Sequence, residues 1–422
     1  MRVTVVGGGA SGCFAAVLLA RGGAEVTLLE KNEKTGKKLF ITGKGRCNLT
    51  ADLPPREFLE GVVRGEKFLR SAVWSFPPES TKKFFEDMGV PLVTERGSRV
   101  FPASGKSSDI TRALDRALKE SGVRVILHSE VKSAKKEGEE FVVTLSDGGE
   151  IRSDFLVIAT GGKSYPTTGS TGDGYAFAES FGHSVVKPVP SLVQLLTKED
   201  VSPLNGISLK NIELAAVLPD GRTLSEFGEM LFTKRGLSGP VALSLSARLN
   251  RVSGGALTLD LKPALSREKL DARVLRNFAE RKNADLKNVT RALLPERLNL
   301  YVLKRAGLSP DEKVNSVTRE ERSRLVDTVK GLTFSFAGVG PFEEAVVTSG
   351  GVDTSELTPK CGSRLVPGLY FTGEVIDCDA YTGGYNLQIA FSTAAQAAGD
   401  ILARGRKAAG DIATKAQTLS RD

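Results

Sequence analysis

An α/β fold is predicted for this chain by three observations. A short apolar strand, residues 2–6, runs through a glycine-rich turn into an apolar helix, Cys13–Ala20. An all-apolar stretch, Phe155–Ala159, stops at Thr160-Gly161, and another, Gly368–Thr372, stops at Gly373-Glu374. Strands with apolar residues on both faces belong inside a parallel sheet covered by helices. The first turn, Gly7-Gly8-Gly9-Ala10-Ser11-Gly12, fits G-x-G-x-x-G. In such a turn Gly7 permits the bend, Gly9 lets backbone approach a pyrophosphate and Gly12 lets helix and strand pack closely. The phosphate charge rests on the positive end of the helix that Ser11 opens. A second strand, Glu25–Leu29, ends in Glu30, eighteen residues after Gly12, with Lys31 beside it. A carboxylate there accepts the ribose hydroxyls of an adenine dinucleotide.

Further along, Val123–Leu127 and Phe141–Leu145 read as strands, and the backbone of Val131 between them is placed to meet an adenine edge. The Ala159-Thr160-Gly161 strand end is of the kind that holds a flavin dinucleotide at the carboxyl edge of a sheet, and Gly172-Asp173-Gly174 opens a helix, Tyr175–Phe181. After Pro188 and Pro190 the texture changes to short strand-like stretches such as Ile212–Leu218 and Ala256–Leu261, which suggest a small antiparallel barrel or sheet. Helical periodicity then takes over, broken at Pro295 and Pro310, before strand-like sequence returns from Gly331 to Val347. The expected organisation is a nucleotide domain (1–190 and 349–422), a β-barrel insert (191–264 and 331–348) and a helical insert within that barrel (265–330). Trp74, Phe76, Phe84 and Phe85 are expected in the core, and His183 is expected to be structural.

At the C-terminal end, Gly373 and Glu374 are placed to bind ribityl and pyrophosphate groups. Gly383-Gly384-Tyr385-Asn386-Leu387-Gln388 then leads into an apolar helix through Ala398. Backbone amides of Gly384, Asn386 and Leu387 at that helix start would face an anionic flavin edge. One dinucleotide site built from both chain ends indicates tightly bound FAD rather than a dedicated second site for NAD(P). The loop Gly36–Asn48 carries Lys37, Lys38, Lys44 and Arg46 on glycine-rich backbone directly after Glu30. Such a loop, Lys38 and Arg46 above all, suits the FAD pyrophosphate, the reduced flavin or a substrate phosphate, while Leu39, Phe40 and Ile41 between the cations are expected to be buried.

Composition bounds the rest. At 422 residues there is room for two or three domains. No apolar run reaches the roughly 18 residues of a membrane helix, no leader is expected before the first strand, and no membrane partner follows. The four cysteines form no C-x-x-C pair and there are only two histidines, so no metal site is expected and a reduced, cytoplasmic protein is the simplest reading. Net charge is +8, and Ser266–Lys330 holds 16 Lys and Arg against 10 Asp and Glu. Such a segment is usually a solvated helical face, and it also suits a polyanion such as RNA. The residues carry no signal for an oligomeric state.

The chain resembles the BaiN/RdsA family of FAD-dependent oxidoreductases. The resemblance rests on the first glycine turn, Gly36-Lys37-Lys38-Leu39-Phe40-Ile41-Thr42-Gly43-Lys44-Gly45-Arg46-Cys47-Asn48, Arg99-Val100-Phe101-Pro102 and Ala159-Thr160-Gly161-Gly162. Gly182-His183, Leu231-Phe232-Thr233, Gly236-Leu237-Ser238-Gly239-Pro240, Thr348-Ser349-Gly350-Gly351-Val352, Thr372-Gly373-Glu374 and Gly383–Gln388 complete it. It implies a Rossmann-like FAD-binding domain of the glutathione-reductase type with a β-barrel insert that itself carries a helical insert. It also implies reduction of an activated carbon–carbon double bond, either uridine to dihydrouridine in large-subunit ribosomal RNA or a bile-acid-like enone, with NAD(P)H as transient reductant. Lys234 and Arg235 stand where relatives often carry His and an aromatic, so no catalytic histidine carries over, and Ala380 stands where many have glycine. A uracil reductase needs a proton donor. Cys47, beside the Arg46 guanidinium, is the first candidate, and Tyr381, with Cys378, the alternative. A ribosomal RNA partner would be held by the basic helical insert. A small-molecule enone reductase and a non-redox RNA-binding or RNA-methylating flavoprotein stay open as other readings.

Overall fold

The computed structural model describes residues 1–419, with side chains through Lys407. The chain forms two compact units, Met1–Pro190 together with the segment from Ala345 onward, and Ser191–Glu344. The core of the first unit is a five-stranded parallel sheet in the order Leu369–Phe371, Phe155–Ile158, Arg2–Val6, Glu25–Leu29, Arg124–Ile126. Val5 pairs with Val157 on one side and Leu28 on the other. That central place explains why the first strand is apolar on both faces. The helix Ala10–Arg21 packs along the final helix, Tyr385–Leu419, which runs well past Ala398. Between sheet strands the chain makes an antiparallel meander of Val131–Glu137, Glu140–Leu145 and Glu150–Ser153.

An aromatic cluster joins these layers. Phe14 meets Phe76, Phe84 and Phe391 at centroid distances of 5.3, 4.5 and 5.1 Å, and Phe85 meets Phe391 at 5.6 Å. Trp74 is a correction to the expected core, for its side chain is 62 % exposed. The helix Glu66–Ser75 turns Leu69, Ala72 and Val73 inward, and the next residue points about 100° away. A similar correction applies to Phe40 and Ile41, which are exposed while Leu39 is buried. Lys37–Ile41 forms a single helical turn, and one turn can direct only part of an apolar triplet inward.

The second unit is a closed six-stranded barrel in the order Leu195–Thr197, Gly236–Ser238, Thr223–Phe232, Ser208–Val217, Ala256–Asp260, Leu332–Val339. Pairing of Leu195 with both Leu237 and Val339 closes it. A helix, Pro240–Leu249, interrupts the strands and was not expected from the strand-like texture. Its Val241, Ala242, Leu245 and Leu249 are buried. The helices Arg267–Glu280, Leu286–Thr290, Glu296–Arg305 and Arg319–Lys330 leave from one barrel strand and return to its antiparallel neighbour, so they enter without opening the ladder. They share one core with the barrel, including Val274, Leu298, Val326, Leu257 and Phe334. Thr318 and Glu321 form a reciprocal capping box at the last of them.

Phe391→Ala should lower unfolding free energy by about 3–5 kcal/mol, the range for losing a buried Phe. Trp74→Ala should change it by about 0.5 kcal/mol or less, as for an exposed position. Denaturant midpoints of the two variants check the contrast, and equal losses would contradict the packing described.

Candidate functional site: a dinucleotide cradle

The cradle lies at the carboxyl ends of the three central strands. Gly7 has φ +105° and its amide donates to the Leu29 carbonyl at 2.8 Å. A Cβ on Gly7 would strike the Ala159 carbonyl, and one on Gly12 would strike the Gly7 carbonyl. These two glycines therefore serve backbone packing. At Gly9, by contrast, nothing lies within 4 Å of where a Cβ would be. Gly9 precedes the helix Ala10–Arg21, and no side chain caps that helix. Its first-turn amides are left for an anion.

Glu30 closes the adjacent edge. Its Oε2 accepts from the Gly8 amide at 2.8 Å, and Oε1 accepts from the Asn32 amide and Nδ2 at 2.8 and 2.6 Å. The carboxylate is buried yet held by three donors, which orients it and leaves lone pairs for ribose hydroxyls. Asn32 also donates to the Thr168 carbonyl and so ties Glu30 to the loop after the third strand. Val131 is half-buried at the start of the meander, paired with Leu145.

The two ends of the chain meet here. Ser11 Oγ and Thr372 Oγ1 are 2.7 Å apart although 361 residues separate them. Gly373 (φ +74°) donates to Thr393 Oγ1 at 2.9 Å, and a Cβ on it would lie 2.9 Å from Ser11. Thr160 Oγ1 is buried with no partner, Gly161 has φ +74°, and Gly174 opposite leaves no room for a Cβ beside that hydroxyl. An unsatisfied buried hydroxyl, an open glycine face and an uncapped helix start fit a bound dinucleotide.

The charged residues are placed differently from expectation. Lys31 Nζ is bound to Thr171 Oγ1 and Asp173, both at 2.6 Å. Lys38 Nζ bonds Glu374 and Ser164, each at 2.6 Å, while the other Glu374 oxygen accepts from Ser164 Oγ and the Thr348 amide. Arg46 pairs with Glu95 at 2.5 Å and stacks over Phe101 at 4.1 Å. Lys37 bonds Asn32 and Glu33. Of the loop's four cations only Lys44 has no partner among the described residues. The open groups left at this edge are therefore backbone amides, with Glu374 and Lys38 paired beside them. Sequence reasoning missed Ser164, Thr348 and Asn32 as site residues, and of these only Thr348 lies against a glycine read from sequence, Gly162.

The C-terminal turn is held from within. Gly383 and Gly384 have φ of +119° and +98°, and a Cβ on Gly384 would strike the Thr50 backbone. Asn386 spends its side chain on the turn, accepting from the Ala380 amide and donating to the Ala380 and Tyr381 carbonyls. Leu387 is half-buried, and the buried Gln388 accepts from Thr50 Oγ1 at 2.7 Å. Tyr381 is half-buried on this turn, its amide donating to the Gly61 carbonyl. Cys47 is fully buried, and burial pushes its thiol up to about 12. The expected tuning of that thiol by Arg46 is absent, because the guanidinium is turned to Glu95. Cys378 is buried too, with its thiol pushed up by burial. His183 is structural, bonded to Glu356 at 3.1 Å and Ser363 at 2.7 Å. No group that could hold a metal ion is present among the described residues, nor any helix long and apolar enough to cross a membrane.

Residues 1–400 match the HI0933-like protein Rossmann domain family. The chain belongs to this family. It is 31 % identical over 409 residues to the ribosomal RNA dihydrouridine synthase of Escherichia coli, covering 94 % of this chain and 97 % of that protein. It is 29 % identical over 399 residues to the 3-dehydro-bile acid delta(4,6)-reductase of Clostridium scindens, covering 93 % and 97 %. In fold it is similar to the 3-ketosteroid delta1-dehydrogenase of Sterolibacterium denitrificans, with a TM-score of 0.50 at 14 % identity, covering 95 % of this chain and 99 % of that one. The chain is an oxidoreductase of the flavoprotein class.

An unfolded thiol ionises near its ordinary 9.0, whereas Cys47 in the fold stays protonated up to about 12. The folded state thus binds this proton more tightly, and the stability present below pH 9 is lost as pH rises from 9 to 12. Burial pushes Cys13, Cys361 and Cys378 the same way. Unfolding midpoints should fall steadily over that window, and less steeply in Cys47→Ala. Iodoacetamide at pH 8 should label no cysteine until the chain is unfolded, and labelling of native Cys47 would contradict its burial.

Proposed function

We propose that this protein is an FAD-dependent reductase of an activated carbon–carbon double bond, and that its substrate is uridine in large-subunit ribosomal RNA, converted to dihydrouridine. The observation that carries this reading is the full-length similarity to ribosomal RNA dihydrouridine synthases of two organisms, at 31 % and 30 % identity, together with an intact dinucleotide cradle. FAD, once reduced by NAD(P)H, would supply the hydride for the electron-poor carbon of the C5=C6 bond, and the chain would supply the proton for its neighbour.

The chain's own residues supply binding, orientation and the proton. Amides beyond Gly9 hold the pyrophosphate, Glu30 the ribose hydroxyls, and Thr160 Oγ1 a polar group of the dinucleotide otherwise left facing a buried, unpaired hydroxyl. The turn from Gly383 to Leu387 offers amides to the flavin edge, with Asn386 and Gln388 holding the turn. Lys38 and Glu374 fix the wall beside it. Tyr381 supports the role of proton donor better than Cys47, since it is half-buried on the glycine turn and Cys47 is sealed in the core. A cytoplasmic setting goes with this substrate. A second reading, the same chemistry on a small-molecule enone, is favoured by the similarity to the bile acid reductase.

Glu30→Ala should weaken FAD binding about 5- to 150-fold, the roughly 1–3 kcal/mol of a lost charged hydrogen bond, read as loss of bound flavin absorbance on dilution. Mass spectrometry of ribosomal RNA from cells with and without the gene should show two added hydrogens on one uridine. In the same assay Tyr381→Phe should keep FAD and slow product formation by about 10²–10⁴. Unchanged RNA alongside turnover of an enone would move the substrate to the second reading.

A further inference from the structure

Several cations of the helices between Ala256–Asp260 and Leu332–Val339 are neutralised. Arg267 pairs with Asp327, Arg322 with Asp271, Lys287 with Asp311, Lys313 with Asp285 and Lys330 with Asp260. Three are not. Lys269, Arg273 and Arg276 stand at i, i+4 and i+7 of the helix Arg267–Glu280, so they share one face. Their side chains make no ion pair or hydrogen bond among the described residues. They line a groove with Asn277, Leu265, Ala272 and Ala292, and Glu280 is the one acid in the lining. The nearby Lys262 has its ammonium pushed below the usual range by burial and then by the charge of Arg273. Like charges are therefore crowded on this face. Such crowding costs free energy that a bound anion would recover.

We infer that the groove lined by Lys269, Arg273, Arg276 and Asn277 is a docking site for the phosphate backbone of RNA. The choice of RNA as the polyanion rests on the function proposed above. The three cations span about 10 Å along the helix axis at 1.5 Å per residue, which suits successive phosphates rather than a single one. Lys, Arg and Asn side chains are the groups that take phosphate oxygens and fix the register of a nucleic acid without reading its sequence. The groove would hold the polymer while chemistry proceeds at the dinucleotide cradle.

The test uses the full-length FAD-loaded protein with deproteinised large-subunit ribosomal RNA and, separately, inorganic pyrophosphate. K269E/R273E/R276E should weaken RNA binding at least about 10-fold near 0.15 M salt. It should also flatten the slope of log K against log salt by about 2, at about 0.7 per phosphate lost from a single strand. Bound flavin absorbance should be unchanged, and K269Q/R273Q/R276Q, which adds no new charge, should show an intermediate loss. Equal affinity and slope in mutant and parent, or no RNA binding by the parent, would overturn the assignment. Competition by pyrophosphate as strong as that of RNA per phosphate would make the groove a small-anion site and overturn the RNA assignment. If the triple variant loses RNA binding but no dihydrouridine depends on the gene, the groove stands and the proposed reaction falls.

Discussion

Everything in the nucleotide unit depends on backbone touching backbone at Gly7 and Gly12. The first strand can sit between its two parallel neighbours, and the first helix can lie close over it, only where no Cβ stands between them. At Gly7 a side chain would meet the Ala159 carbonyl, and at Gly12 the Gly7 carbonyl itself. These are contacts with main chain, which cannot rotate aside. From that closeness follows the uncapped start of the helix Ala10–Arg21, whose amides are aimed over the open side of Gly9. The anion seat is thus a consequence of packing, and no charged side chain has to be placed to create it.

Closeness at the first turn also draws in the other end of the chain. Ser11 contacts Thr372, and Gly373 must lack a side chain because Ser11 occupies that space. The final helix then packs on the first, with Phe14 and Phe391 between them. Such contacts between distant parts of a chain close long loops, so the C-terminal segment has to arrive before the cradle is complete. A chain with the first strand, turn and helix alone would have the glycine motif without its second wall.

How much of this was legible follows from which signals are local. Glycines with forced geometry and all-apolar strands announce themselves, and Gly7, Gly12, Glu30, Thr160 and Gly373 were all placed at the cradle from sequence. The parallel sheet and the barrel followed from strand texture, and the barrel's helix Pro240–Leu249 did not, because its apolar run is short enough to pass for a strand. Side-chain partners across long separations carry no local signal. That Lys38 would be taken by Glu374, 336 residues away, or Arg46 by Glu95, cannot be read from their neighbours in the chain. Cys47 is the clearest instance. Beside an arginine in sequence it looked activated, while in the fold the arginine turns away and the thiol is sealed.

The allocation of charge separates two tasks. Around the cradle Lys31, Lys37, Lys38 and Arg46 are each paired with a carboxylate, which leaves amides, hydroxyls and one oriented carboxylate to meet a cofactor. A site made this way does little to distinguish one substrate from another, since its parts are backbone and small side chains shared by any chain with this turn. The similarity of this chain to a reductase of bile acids and to enzymes acting on ribosomal RNA, at almost equal identity along the full length, is what such a division would produce. Under the proposed function, substrate choice would reside in residues free to change without disturbing the cradle, and unpaired cations on a helix outside the nucleotide unit satisfy that condition. Altering them costs the fold little, while a polymer of phosphates would register each one.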